Sequence, residues 1–181
     1  MKNLPLIVAL FFSTSLLAQQ PIELGKVDWL RDMDVAQKQA KEDQKPIFLL
    51  FQEVPGCSTC QRYGKQVLSH PLIVEAIETC FVPLVIHNNK GGKDREILDY
   101  YGEPSWNNPV LRIVDQNQED LMPRLSGNYT PLAVVQSMLH VLEEPPAYLE
   151  LLKEELLAEA IGTKTTTLSM YCFWSGELKI G

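Results

Sequence analysis

The sequence predicts an α/β protein with a three-layer arrangement, a mixed central sheet flanked by helices. Apolar strand-like runs at 47–52, 81–86 and 110–114 alternate with segments whose apolar residues recur at helical spacing. The run at 47–52 is continuous and bounded by breakers, as a central strand covered on both faces requires. Interleaving of this kind places helices on the faces of the sheet.

The first segment is an address. Lys2 is the only charge before Glu23, and the stretch from Leu4 to Ala18 is apolar. A basic start, a short apolar core and a small residue at its end describe a secretory signal peptide over 1–18, with cleavage after Ala18. The run falls short of the ~20 residues of a spanning helix. No stable membrane insertion is expected after its removal, and the mature chain is expected in the periplasm or outside the cell, where disulfides persist.

The remaining elements come in order. Val27–Trp29 is a short entry strand, and 32–44 is a helix carrying Met33, Ala36 and Ala40 on one face, ended by Pro46. After the strand at 47–52 come a helix over 61–68, a helical stretch over 72–78 and the strand at 81–86. Asn88 to Gly92 form a turn, and 93–101 a helix closed by Gly102. The strand 110–114 turns through 115–120 into a partner strand at 121–125. Thr130-Pro131 opens a helix, an N-cap followed by proline at the first helical position, with Leu132, Val135, Met138 or Leu139, and Leu142 as its buried stripe. Pro145-Pro146 then breaks the chain. These signals divide it into a main domain over 19–143, a linker helix within 144–162 stopped by Gly162, and a tail over 163–181.

Composition narrows the function classes. With 45% hydrophobic and 22% charged residues the chain is globular rather than disordered. A net charge of -7 without a basic patch argues against nucleic acid. Four cysteines, Cys57, Cys60, Cys80 and Cys172, are too few for a disulfide-built scaffold. Cys80, just before an apolar strand, reads as a buried small hydrophobe. His70, His87 and His140 read as surface or capping residues.

The chemistry lies in V-P-G-C-S-T-C-Q-R-Y at 54–63. Cys57 falls past the end of a buried strand and at the start of a helix, where unpaired N–H groups and the helix dipole stabilise a thiolate. Cys60 lies one turn further on. That placement lets Cys57 attack a substrate disulfide and Cys60 resolve the mixed disulfide. Two other readings stay open. A zinc site needs two more ligands, and Cys80, His70 and His87 are present without a second paired spacing. A structural bridge across two residues closes too small a loop to constrain the unfolded chain much.

The order strand, C-S-T-C, helix, strand, helix, then N-P-V-L-R-I-V-D-Q-N-Q and a final amphipathic helix resembles the thioredoxin superfamily over about residues 22–143. The resemblance implies a thiol-disulfide oxidoreductase with Cys57 and Cys60 catalytic and no cofactor or metal. It implies a cis-proline at Pro109, which starts a strand and faces the cysteines, with Asn108 and Gly56 contacting substrate. Pro104 competes for the cis-proline role. Partners implied are a protein disulfide or sulfenic acid as substrate and a thiol protein as electron donor or acceptor. Two departures are visible: Gly56 stands where the family usually has Trp, and the family's buried acid is not obvious, Glu53 lying close to the turn.

The tail carries Y-C-F-W at 171–174. It resembles the start of A-type peptide methionine sulfoxide reductases, with Cys172 as a second nucleophile, Phe173 and Trp174 at the sulfoxide pocket and Glu177 at an acidic position of that segment. The rest of that family's domain would lie beyond Gly181, so one rival reading is the amino-terminal part of a fusion, whose dithiol reduces the oxidised reductase domain. The other rival is a non-catalytic binding module that uses the thioredoxin-like face to hold a partner or a metal.

Overall fold

The computed structural model of the chain describes residues 20–106 and 109–162. The expected signal peptide, Asn108 and the tail with Cys172, Phe173 and Trp174 lie outside them. No helix among the described residues is long and apolar enough to cross a membrane.

The central strand is β1, Ile47–Gln52, whose six residues are all buried. It pairs in parallel with β2, Val82–His87, and antiparallel with β3, Val110–Val114. β4, Leu125–Ser126, pairs antiparallel with β3, so the sheet order is β2-β1-β3-β4. Pro83 sits in β2 at the edge of this sheet, where its missing N–H is tolerated. Side chains of a strand alternate between faces, and here both faces are apolar. Phe48, Leu50, Val85, Leu111 and Ile113 point into one core, and Ile47, Leu49, Phe51, Val82, Leu84, Ile86, Val110 and Val114 into the other.

Helices cover both faces. α1, Met33–Asp43, packs Met33, Ala36 and Ala40 on the second core; Asp32 caps it by accepting from the N–H groups of Asp34 and Val35. It ends at Gln44, in the left-handed region at φ 54, before Pro46 is reached. α4, Lys93–Tyr101, covers the same face through Leu98 and closes at Gly102. The first core is covered by α2, Ser58–Gln66, α3, Pro71–Cys80, and α5, Pro131–Val141.

Several elements differ from the sequence reading. The entry strand over Val27–Trp29 is a single bridge from Leu30 to Leu84, because the Asp28 N–H is taken by the Glu78 carboxylate. The partner strand over 121–125 shrinks to Leu125–Ser126 and an isolated bridge from Asp120 to Val114. Pro123 cannot donate to a ladder, and Arg124 is drawn to Glu103. α5 buries Ala133, Val134, Val135, Ser137 and Met138, whereas Leu132 and Leu142 are half-buried. That face is wider than one stripe because α6, Ala147–Ala160, packs on α5 as well as on α3. α6 packs into the same core, with Leu149 and Leu152 buried there. Cys80 is half-buried, not buried.

One strand position breaks the apolar rule. Arg112 on β3 occupies a second-core register opposite Leu49. Its guanidinium donates to Glu103 at 3.0 and 2.7 Å and to Asp120, and stacks over the Tyr101 ring at 4.9 Å. Glu103 accepts in addition from Arg124 at 3.1 Å. The network anchors the start of the segment that runs from α4 to Pro109. Removing one partner of a buried pair strands the other's charge, so Arg112→Met is expected to cost about 3 kcal/mol in urea unfolding. Arg95→Met, at an exposed i,i+4 pair with Asp99, should cost less than about 0.5 kcal/mol.

The N-terminal segment is locked onto α2. Ile22–Leu24 form a 3₁₀ turn whose backbone lies so close to Gly64 that a Cβ there would sit 2.0 Å from the Ile22 carbonyl oxygen. Gly64→Ala should destabilise the fold by roughly 1–3 kcal/mol and make the chain before Lys26 the first site of limited proteolysis.

Candidate active site

β1 ends at Gln52, and the chain crosses Glu53 to Gly56 before α2 begins with Cys57 as its N-cap. Helix α2 starts at Ser58 rather than at 61, with Cys57 as its N-cap and Cys60 in its first turn, as the placement of the pair after β1 predicts. Their sulfurs lie 3.8 Å apart, with Cys57 exposed and Cys60 fully buried.

Burial and the helix end separate the two thiols chemically. The Cys57 thiol is lowered from its ordinary value, chiefly by the backbone N–H of Cys60, with help from that of Thr59. Partial desolvation and the nearby Glu53 charge oppose the shift. The Cys60 thiol is pushed up to about 12 by burial. Of the two, Cys57 is therefore the sulfur that ionises first, while Cys60 holds its proton.

The loop before Cys57 is held from below and from the side. Glu23, on the 3₁₀ turn and only 4% exposed, accepts the Gly56 N–H at 2.8 Å. The Gln52 side chain donates to the Glu23 carbonyl at 2.8 Å and to the Cys60 carbonyl at 3.4 Å. Asn89, just after β2, accepts from the Val54 N–H and donates to the Val54 and Pro55 carbonyls. The Val54–Pro55 peptide bond in this loop is cis.

The positions named from sequence are distributed as follows. Gly56 has its N–H engaged by Glu23, and a Cβ on it would meet the Glu53 carbonyl oxygen at 2.4 Å and the Cys60 Cβ at 2.6 Å. The missing Trp is thereby explained: this loop has no room for a side chain at 56. Pro109 is buried and immediately precedes β3. Val110 pairs with Phe51, so the register continued one residue sets Pro109 beside Gln52, at the strand end that delivers the cysteines. The Asn108–Pro109 bond involves a residue outside the described ones. His70 stands at the N-cap position of α3 without a side-chain cap. His87 is held below its ordinary value by burial and, secondarily, by Arg31.

Glu23, Gln52 and Asn89 escaped the sequence reading, although a lone acid within P-I-E-L-G, next to an otherwise apolar segment, is a faint signal for the first. The acidic group that joins the sulfurs is Glu53: one carboxylate oxygen and both sulfurs lie within 4.8 Å of one another.

The thiolate is the species that alkylates. Because the Cys57 value is lowered, its reaction with iodoacetamide should persist as pH falls below the range in which an ordinary thiol protonates and slows. The rate profile of the reduced chain should show its midpoint below that of denatured chain, and Cys57→Ser should abolish this low-pH reactivity.

A comparison with curated proteins returns no match. Among solved structures, a chain described as a DsbH oxidoreductase is similar at 18% identity, over 78% of this chain and 92% of that one, with a TM-score of 0.49. The family model described as Thioredoxin-like matches residues 28–135, more than half of the chain and inclusive of β1, both cysteines and β3. With its strand, its cysteine pair and its helix in that order, the chain belongs to the thioredoxin-like family.

Proposed function

We propose that the protein is a secreted or periplasmic thiol-disulfide oxidoreductase in which Cys57 attacks and Cys60 resolves. The observation that carries this reading is the pair itself: two sulfurs 3.8 Å apart, one exposed at a helix N-terminus and one buried. The Cys57 thiolate attacks a substrate disulfide R–S–S–R′, forming the mixed disulfide and releasing R′–S⁻. Cys60 then gives up its proton and attacks the Cys57 sulfur, releasing R–S⁻ and leaving the Cys57–Cys60 disulfide. The substrate gains the two electrons that the dithiol loses.

A sulfenic acid is handled by the same pair. Cys57 displaces hydroxide from R–SOH, which leaves as water once protonated, and Cys60 resolves the product as before. The Y-C-F-W resemblance in the tail supports such a substrate, an oxidised cysteine of a methionine sulfoxide reductase. On this reading Pro109, which the strand register sets beside Gln52, and Asn108 form the segment against which an extended substrate chain pairs. A thiol protein exchanging electrons with the dithiol completes the cycle. The basic, short apolar start of the chain supports action outside the cytoplasm.

The test is equilibration of the purified chain in glutathione buffers with a count of free thiols. A reversible two-electron couple is expected, absent in Cys57→Ser, whereas Cys60→Ser should accumulate a mixed disulfide with glutathione. A pair that stays locked at every buffer ratio overturns the reading.

A further inference from the structure

We infer that the reduced site is also a zinc-class metal site, with Cys57, Cys60 and Glu53 as three ligands. A tetrahedral zinc with Zn–S bonds near 2.3 Å sets its two sulfurs about 3.8 Å apart. The Cys57 and Cys60 sulfurs lie at 3.8 Å. A Glu53 carboxylate oxygen joins them, all three ligand atoms lying within 4.8 Å of one another.

The sequence pattern offered Cys80, His70 and His87 as further ligands, but among the described residues the group that gathers is completed by Glu53 alone. Its position has no obvious use for a nucleophile. A carboxylate beside an anionic sulfur repels it, and Glu53 has no ion pair with Lys, Arg or His among the described residues. A divalent cation between carboxylate and sulfurs turns that repulsion into attraction. Two thiolates with one carboxylate form a borderline-soft donor set, which suits zinc better than magnesium or calcium. Cys57 is exposed, so the fourth corner of the tetrahedron opens to solvent and takes water or an incoming thiolate.

Binding and redox chemistry then exclude each other. Zinc capture by the Cys57 and Cys60 sulfurs as thiolates and by the Glu53 carboxylate releases the protons that the two thiols hold. Oxidation of the loaded pair by a disulfide R–S–S–R takes up two protons, forms the Cys57–Cys60 disulfide, and releases zinc and two R–SH. Zinc would thus shield the dithiol until an oxidising partner displaces it.

The test is anaerobic titration of the reduced full chain with zinc against a chromophoric chelator, run beside the metal-free glutathione titration. Expected are one zinc per reduced chain, none per oxidised chain, and affinity at least roughly tenfold weaker in Glu53→Gln. An intact glutathione couple in Glu53→Gln would show that the variant is folded, and Glu53→Asp should fall between the two. A reversible couple with no zinc bound overturns the metal site and leaves the oxidoreductase reading standing. Equal affinity in wild type and folded Glu53→Gln overturns the three-ligand assignment. Zinc bound with the stated dependence on Glu53, but with no reversible couple, supports the site and overturns the oxidoreductase reading.

Discussion

The complete burial of β1 is the constraint on which the rest depends. Ile47 to Gln52 cannot reach solvent on either face, so the strand needs an apolar layer above and below and a hydrogen-bonded neighbour on each side. Burying a side chain such as Phe48 or Phe51 contributes roughly 2–3 kcal/mol, more than an exposed ion pair does. The strand is thus a fixed rod, and its last residue determines where the chain emerges. The loop and first helical turn from Glu53 to Cys60 inherit that position.

The contrast between the two sulfurs comes from one turn of helix. Cys57 caps α2 from outside, where free N–H groups meet its sulfur; Cys60, three residues later, points down into the protein and loses water. A single backbone geometry thereby makes the accessible sulfur the readier to ionise and keeps the proton on the buried one. Glu53 complicates the picture, because its charge works against the thiolate that the helix end favours. The same local field that disfavours an extra anion attracts a cation, which is why one cluster can be read in both redox and metal terms.

The support around the loop is non-local. Glu23 reaches Gly56 across 33 positions, and Asn89 reaches Val54 across 35. Gly64 lets the N-terminal turn come close enough for Glu23 to do this, and Gly56 lets the loop pass over Cys60 without a side chain between them. The two glycines have no chemistry of their own. Each creates space that a distant segment or the loop itself fills.

The features legible in the amino acids alone are those encoded within a few residues. The continuous apolar run of β1, the helix signals at Asp32, Thr130 and Gly102, and the strand-to-helix placement of Cys57 and Cys60 are all local patterns, and the structure carries the same elements. Long-range packing settled whatever depends on partners far along the chain. It moved the bridge to Leu30, because Glu78 takes the Asp28 N–H, and it left β4 short after Pro123, which has no N–H to give a ladder. It drew α6 into the core, because Leu149 and Leu152 find α3 and α5 there. It brought Glu23 and Asn89 to the loop and set Glu53 against the sulfurs. The physical reason is the same throughout: propensity and spacing act over one or two turns, whereas burial and hydrogen-bond satisfaction are settled only when the whole chain has closed on itself.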